Sequence, residues 1–256
     1  MIREWRLFLV ALQFLTRFPT PSLPGLPDDW LVRSAKYFPL VGALVGGVSA
    51  LVFLGAHALW PAGPLPALLA LAAGILMTGA LHEDGLADTA DALGGHSPEQ
   101  RRAIMKDPRL GTYGALALGL VLAAKAGALT VLAVRFAAWG LVGAHVGGRA
   151  AAAWAMSLLP YAAEPATSRL NAPRRTLRSW ELALTLALAL APCLIAMGPA
   201  GLACAGGAAL AASLLAWISA KRIGGHTGDV LGAVEQAYEV AFLLILSALG
   251  AAGRLA

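Results

Sequence analysis

Between Leu182 and Ala220 the chain reads LALTLALALAPCLIAMGPAGLACAGGAALAASLLAWISA, with no Asp, Glu, Lys or Arg in it. Two apolar runs, Leu182–Met197 and Gly201–Ala220, are joined by only Gly198, Pro199 and Ala200. A helix rises about 1.5 Å per residue, so each run is long enough to cross about 30 Å of hydrocarbon. The short connection forces a tight hairpin between them. Pro192 is placed to kink the first run.

Moving outward from this pair, five further stretches have the same character: Tyr37–Trp60, Leu65–Leu81, Leu110–Val134, Phe136–Leu158 and Ala237–Ala252. The whole chain agrees with them. It has 256 residues, 59% hydrophobic and 13% charged, with a mean hydropathy of +0.72. A water-soluble fold would struggle to hide so much apolar surface. The expected fold is therefore an all-α, polytopic integral membrane helix bundle of about seven transmembrane helices. Gly42-x-x-x-Gly46 and Gly143-x-x-x-Gly147 offer small faces for close helix contact. Cys193 and Cys204 lie in apolar sequence without ligand-like spacing and read as small hydrophobes.

The N-terminal stretch Ile2–Phe18 interleaves apolar and charged residues and is too interrupted to span, so it reads as an amphipathic helix in the membrane interface. No small-residue cleavage site follows, which argues against a removable signal peptide. Pro19, Pro21, Pro24 and Pro27 then enforce an extended linker. Residues 1–36 are thus the interfacial helix and linker, and 37–256 the transmembrane bundle, in a single domain.

The pI near 9.6 does not call for nucleic acid, because the basic residues sit between apolar runs, where membrane topology explains them. Fifteen Lys and Arg fall in one set of connections: Arg3, Arg6, Arg17, Arg33, Lys36, Arg101, Arg102, Lys106, Arg109, Arg169, Arg174, Arg175, Arg178, Lys221 and Arg222. Arg135 and Arg254 are the two in the other set. This asymmetry places the N-terminus and the long loops in the cytoplasm and the C-terminus outside.

Three polar clusters share the cytoplasmic side. The first, Leu81 to Gly95, holds four of the chain's fourteen acidic residues, Glu83, Asp84, Asp88 and Asp91. At 100° per residue Asp84, Asp88 and Asp91 fall at about 0°, 40° and −20° around a helix, so they share one face, with Glu83 on its flank. Like charges at this spacing repel, and no basic residue lies in the segment, so an outside cation is the natural partner. Carboxylates suit Mg²⁺, which completes its octahedron with water and substrate phosphate. The plain alternative is an acidic helix start favoured by the dipole, which leaves Asp88 and Asp91 unexplained.

The second cluster, Arg101 to Gly114, joins cations able to hold phosphate, a helix-breaking Pro108, and Gly111 and Gly114, which let backbone approach a ligand; Thr112 and Tyr113 favour a site over a lipid-binding basic patch. The third, Gly224 to Gly232, offers a glycine loop suited to a phosphate, with Thr227, Gly228 and a further carboxylate, Asp229. Inside the spans lie Lys125, near enough to the outer end to snorkel, and Arg149, positioned to meet a phosphate or an acidic residue. His57 and His145 read as packed or interfacial. Acidic groups for a cation, basic groups for phosphate and flexible backbone together fit phosphoryl transfer.

Leu81-His82-Glu83-Asp84-Gly85-Leu86-Ala87-Asp88-Thr89-Ala90-Asp91, then Ile104-Met105-Lys106-Asp107-Pro108-Arg109-Leu110-Gly111-Thr112-Tyr113-Gly114, then Gly224-Gly225-His226-Thr227-Gly228-Asp229 resemble the cobalamin synthase (adenosylcobinamide-GDP ribazoletransferase) family. The resemblance extends to Phe14-Leu15-Thr16-Arg17-Phe18-Pro19 and departs at Ala92, where glycine is expected. It implies a bacterial inner-membrane enzyme, its active site facing the cytoplasm, that joins adenosylcobinamide-GDP to α-ribazole and releases GMP with Mg²⁺. For that reaction the residues themselves suggest Asp84, Asp88 and Asp91, joined by Glu83 and Asp229, as metal ligands and Asp84, Asp88 and His226 as catalytic groups, with His226 or one spare carboxylate to take the hydroxyl proton. Lys106, Asp107, Arg109, Thr112, Tyr113, Arg149, Thr227 and Gly228 are the expected substrate contacts. Membrane lipid, a second copy of the chain or neighbouring pathway enzymes are the expected partners, and nucleic acid is not among them. Membrane phosphotransferases of the CDP-alcohol type, aspartate-rich prenyltransferases and a transporter using Lys125 and Arg149 remain the alternatives.

Overall fold

In the computed structural model, residues 2–162 and 176–255 are described, and every named element among them is helical. Arg169, Arg174 and Arg175 lie outside the described residues. In order the helices are α1 (Ile2–Leu15), α2 (Trp30–Ser34), α3 (Phe38–Leu59), α4 (Leu65–Thr78), α5 (Leu81–Ala92), α6 (Pro98–Ile104), α7 (Thr112–Val131), α8 (Val134–Leu158), α9 (Ser179–Ile223) and α10 (Gly228–Ala251). A single 3₁₀ turn, Ala35–Tyr37, joins α2 to α3.

Among the described residues four segments are long and apolar enough to cross a membrane: Trp30–Leu59, Thr112–Val131, Ser179–Ile223 and Gly228–Ala251. Counting the bent pair α4 and α5 as one span makes five. The protein is thus a multi-pass membrane helix bundle, although the sequence suggests seven crossings. Besides α8, which is not among these segments, two features separate the counts. The expected span Leu65–Leu81 ends early, because Gly79 (φ 67°) and Ala80 (φ 61°) are both left-handed and turn α5 by 90° from α4. Glycine tolerates that conformation freely and alanine does not, so the elbow concentrates strain at Ala80. With its four carboxylates, α5 thus leaves the line of α4 at a right angle and packs against α10 and α7.

The second feature is α9, which is interrupted at Gly198 (φ 57°, ψ −143°) and not at Pro192. A Cβ at Gly201 would collide with the carbonyl of Cys193, although eight residues of straight helix would separate the two by about 12 Å. The chain therefore reverses at Gly198, and the expected hairpin is present. Both cysteines are free and buried.

Small residues set how closely the helices approach. A Cβ at Gly46 would lie 2.8 Å from the Cα of Val142, so α3 and α8 pack backbone to backbone. On the other face of α8, Gly143 and Gly147 receive the rings of Phe242 and Tyr238 from α10. The two GxxxG faces are thus helix contacts, as the pattern suggests. Between α8, both arms of α9 and α10 is an apolar cavity of about 400 Å³, walled by Trp154, Trp217 and Tyr238 among others.

The N-terminal helix is tied down by charge as well as by packing. Ala11 and Leu15 of α1 join a core with Phe38, Val41 and Val45 of α3. Buried Lys36 reaches Glu4 of α1 at 2.7 Å and Glu181 of α9 at 3.3 Å, and Arg33 meets Glu181 at 2.7 Å. Trp5 and Phe14 stay exposed, as a helix lying in an interface requires.

Candidate active site

Helix α5 crosses α10 where both backbones are bare. A Cβ at Gly85 would sit 2.7 Å from the carbonyl oxygen of Asp229, and one at Gly232 would sit 3.2 Å from the Cα of His82. This crossing brings Asp229 to the acidic face of α5, 138 positions away in sequence from Asp91. Asp88 registers the result. Burial first, and then the charges of Asp84, Asp229 and Asp91, push its carboxyl from 3.8 up to about 6. Among the described residues no Lys or Arg pairs with Asp84, Asp88 or Asp229. Three carboxylates crowded without a countercharge suit a divalent cation that keeps water and substrate oxygens in its shell.

Asp91 has a different task. Its two oxygens accept the backbone N–H groups of Gly111 at 2.8 Å and Gly114 at 2.9 Å, so it caps the N-terminus of α7 from another helix. Gly111 and Gly114 are small to admit that carboxylate, not to approach a ligand: a Cβ at either would strike it. Asp91 is therefore committed to holding α7 beside α5. Thr112 and Tyr113 follow as the exposed first residues of α7.

Glu83 turns away from the acidic face. Its Oε1 accepts from Gln236 Nε2 at 3.1 Å, the edge of a buried polar network in the bundle. There Lys125 Nζ meets Glu239 at 2.5 Å and Gln236 at 2.6 Å. Arg149 meets Glu235 at 2.8 Å and Glu239 at 3.5 Å, His145 Nδ1 meets Glu239 at 2.6 Å, and His82 Nε2 meets Glu235 at 2.9 Å. Arg149, expected to clamp a phosphate, is 1% exposed, and the alternative ion pair is what the structure contains. Lys125 points inward and does not snorkel; it is 2% exposed. His145 belongs to the network and is not a simple packed histidine.

Donor atoms of His145, Glu235 and Glu239 lie within 4.8 Å of one another, a spacing that could hold a metal. Lys125 and Arg149 already neutralise that set, so the network works as a set of ion pairs joining α5, α7, α8 and α10. His82, Glu235, Gln236 and Glu239 escaped the sequence reading, which starts the last span at Ala237. Their signal was the i,i+4 spacing of Glu235 with Glu239, matched by His145 with Arg149 on α8.

The second and third clusters divide between site and scaffold. Arg101 and Arg102 do not wait for phosphate: they donate to the carbonyls of Arg222 at 3.1 Å and Ile223 at 2.9 Å, capping α9. Asp107 accepts the backbone N–H of Arg109 at 3.0 Å and its guanidinium at 2.6 Å, which pulls the Asp107 carboxyl down to about 2. Lys106 and Arg109 are exposed beside this turn. Thr227 is the N-cap of α10, accepting from Val230 N at 3.2 Å, and Gly228 opens that helix in free space.

His226, expected as a proton acceptor, is packed into a clasp between two loops. Its backbone N–H donates to Pro160 at 2.8 Å, its carbonyl accepts from Ala162 at 2.9 Å, and its ring meets Tyr161 edge-on. Burial pushes its pKa from 6.5 down to about 4. So weak a base is poorly matched to neutral pH, and the structure favours a packing role for it.

Comparisons with known proteins converge on one answer. The chain is 44% identical over 255 residues to a protein of Leptothrix cholodnii, covering 95% of this chain and 96% of the relative. It is 40% identical to one of Shewanella frigidimarina, covering 97% of each, and 42% identical to one of Shewanella amazonensis, covering 95% of each. All three relatives are named adenosylcobinamide-GDP ribazoletransferase. No solved structure matches the chain significantly. The family model described as cobalamin-5-phosphate synthase matches residues 7–247, which takes in all three polar clusters and the crossing of α5 with α10, and the chain belongs to that family.

Proposed function

We propose that the protein is an adenosylcobinamide-GDP ribazoletransferase of the bacterial inner membrane, joining adenosylcobinamide-GDP to α-ribazole or its 5′-phosphate and releasing GMP. The observation that carries the reading is the meeting of Asp84, Asp88 and Asp229 at the crossing of α5 with α10. The excess of Lys and Arg on the same side supports a site open to the cytoplasm.

Mg²⁺ fits this donor set, with Asp84, Asp88 and Asp229 as its holders; Glu83 and Asp91 are engaged elsewhere. The ion would neutralise charge on the diphosphate and on the departing GMP. The protein's own groups do the rest. The hydroxyl oxygen of ribazole attacks the phosphorus on the corrinoid side, and the bond from that phosphorus to the bridging oxygen breaks, its electron pair leaving with GMP. The hydroxyl proton passes to a carboxylate oxygen of the cluster that the ion would leave free. Lys106, exposed beside the start of α7, is free to approach the nucleotide, whereas Arg109 is held by Asp107.

The test is GMP release from both substrates in membranes carrying the chain. Release is expected with Mg²⁺, stopped by EDTA and restored by Mg²⁺ in excess. Turnover undiminished by chelation removes the metal, and no release from the unaltered protein removes the reading.

A further inference from the structure

We infer that the guanidinium of Arg17 holds the diphosphate of the nucleotide-activated substrate, at the elbow between α4 and α5. The inference rests on the reading above and names a further binding residue for the same site.

Phosphoryl transfer needs a cation on the phosphate oxygens that is held in place but not already neutralised. Most seated cations on this side are taken. Arg149 faces Glu235 and Glu239, Arg101 and Arg102 cap α9, Arg109 holds Asp107, and Arg33 and Lys36 share Glu181. Arg17, exposed but with its side chain laid against Gly79, has no carboxylate partner among the described residues.

Its backbone is fixed on both sides. Arg17 N donates to the carbonyl of Met77 at 2.7 Å, in the last turn of α4, and Thr16 Oγ1 accepts from Phe18 N at 3.2 Å while donating to Leu12 at 2.7 Å. Its side chain lies on Gly79, where a Cβ would come within 2.9 Å of both Cζ and Nη2. Gly79 and Ala80 form the elbow, and Asp84 N bonds to the carbonyl of Ala80 at 2.9 Å. The guanidinium therefore lies on the elbow, on the N-terminal side of Asp84. A diphosphate has two charged groups. One can meet the cation held by Asp84, Asp88 and Asp229 while the other meets the planar fork of Arg17.

A lipid headgroup presents the same phosphate chemistry to an arginine near the interface, so the experiment separates the two sources. Arg17→Gln and Arg17→Lys are purified and placed in vesicles of phosphatidylcholine alone and of phosphatidylcholine with phosphatidylglycerol. In both, Arg17→Gln is expected to raise KM for adenosylcobinamide-GDP about 10-fold or more, with KM for α-ribazole and the thermal midpoint unchanged. Arg17→Lys, which keeps the charge and loses the fork, is expected to recover part of the loss, and it carries the comparison if the glutamine variant does not accumulate. An unchanged KM for the GDP-activated corrinoid overturns the inference. So does an effect confined to vesicles with phosphatidylglycerol, which assigns Arg17 to lipid, or one on both substrates with a lowered midpoint, which makes it structural. Each is read against an active unaltered protein, whose failure to release GMP would instead sink the functional reading.

Discussion

At Asp88 the burial and the like charges that push its carboxyl up to about 6 are a cost the fold carries for the sake of the site. Replacing Asp88 with Asn should reduce GMP release by about 10²–10³-fold and, in EDTA, raise the thermal midpoint of the purified protein. A lowered midpoint would mean that Asp88 is not in a repulsive field. His226 makes the opposite case. Its pKa of about 4 in the fold lies below the 6.5 of a free imidazole, so between those values the unfolded chain takes up a proton that the folded chain refuses. Stability should therefore fall as pH drops from 6.5 toward 4, by up to about 3 kcal/mol. His226→Phe, which keeps the ring beside Tyr161, should flatten that dependence in melting curves and leave GMP release at pH 7 within about threefold. The shared face of Asp84, Asp88 and Asp91 was readable because helical spacing is local. The capping of α7 by Asp91 was not, because its partners lie 20 and 23 positions onward.

The placement of α5 depends on two neighbours more than on its own sequence. The elbow at Gly79 and Ala80 sets its direction, and the crossing at Gly85 sets its distance from α10. Gly85→Leu should force the helices apart, at about 1–3 kcal/mol in stability. Because Asp229 would move away from Asp84 and Asp88, GMP release should fall by at least about 100-fold with the protein still inserted in the membrane. Activity within a few-fold of the unaltered protein would show that the three carboxylates need not meet. The buried pairs of Lys125 and Arg149 with Glu239 and Glu235 support this arrangement from beneath. They explain why α10 begins at Gly228, nine residues before the apolar run. Hydropathy trims a span at charges, whereas a bundle can bury them in pairs.

Orientation belongs to the molecule as a whole. With Cys193 and Cys204 replaced by Ala, Arg109→Cys and Arg254→Cys should react with a membrane-impermeant maleimide from opposite sides. Position 109 should label in inside-out vesicles and position 254 in right-side-out ones; labelling of both from one side would contradict the arrangement inferred from the Lys and Arg count. That count, the apolar runs, the hairpin at Gly198 and the GxxxG faces are local properties of composition and spacing, and residue order along the chain carries them without further help. The turn of α5 onto α10 and α7, the union of Asp229 with Asp84 and Asp88, and the burial of Arg149 in ion pairs depend on which distant side chains become neighbours. Spacing within one helix says which residues share a face; only packing says what that face meets, because desolvated charges take whatever partner the other helices bring to them.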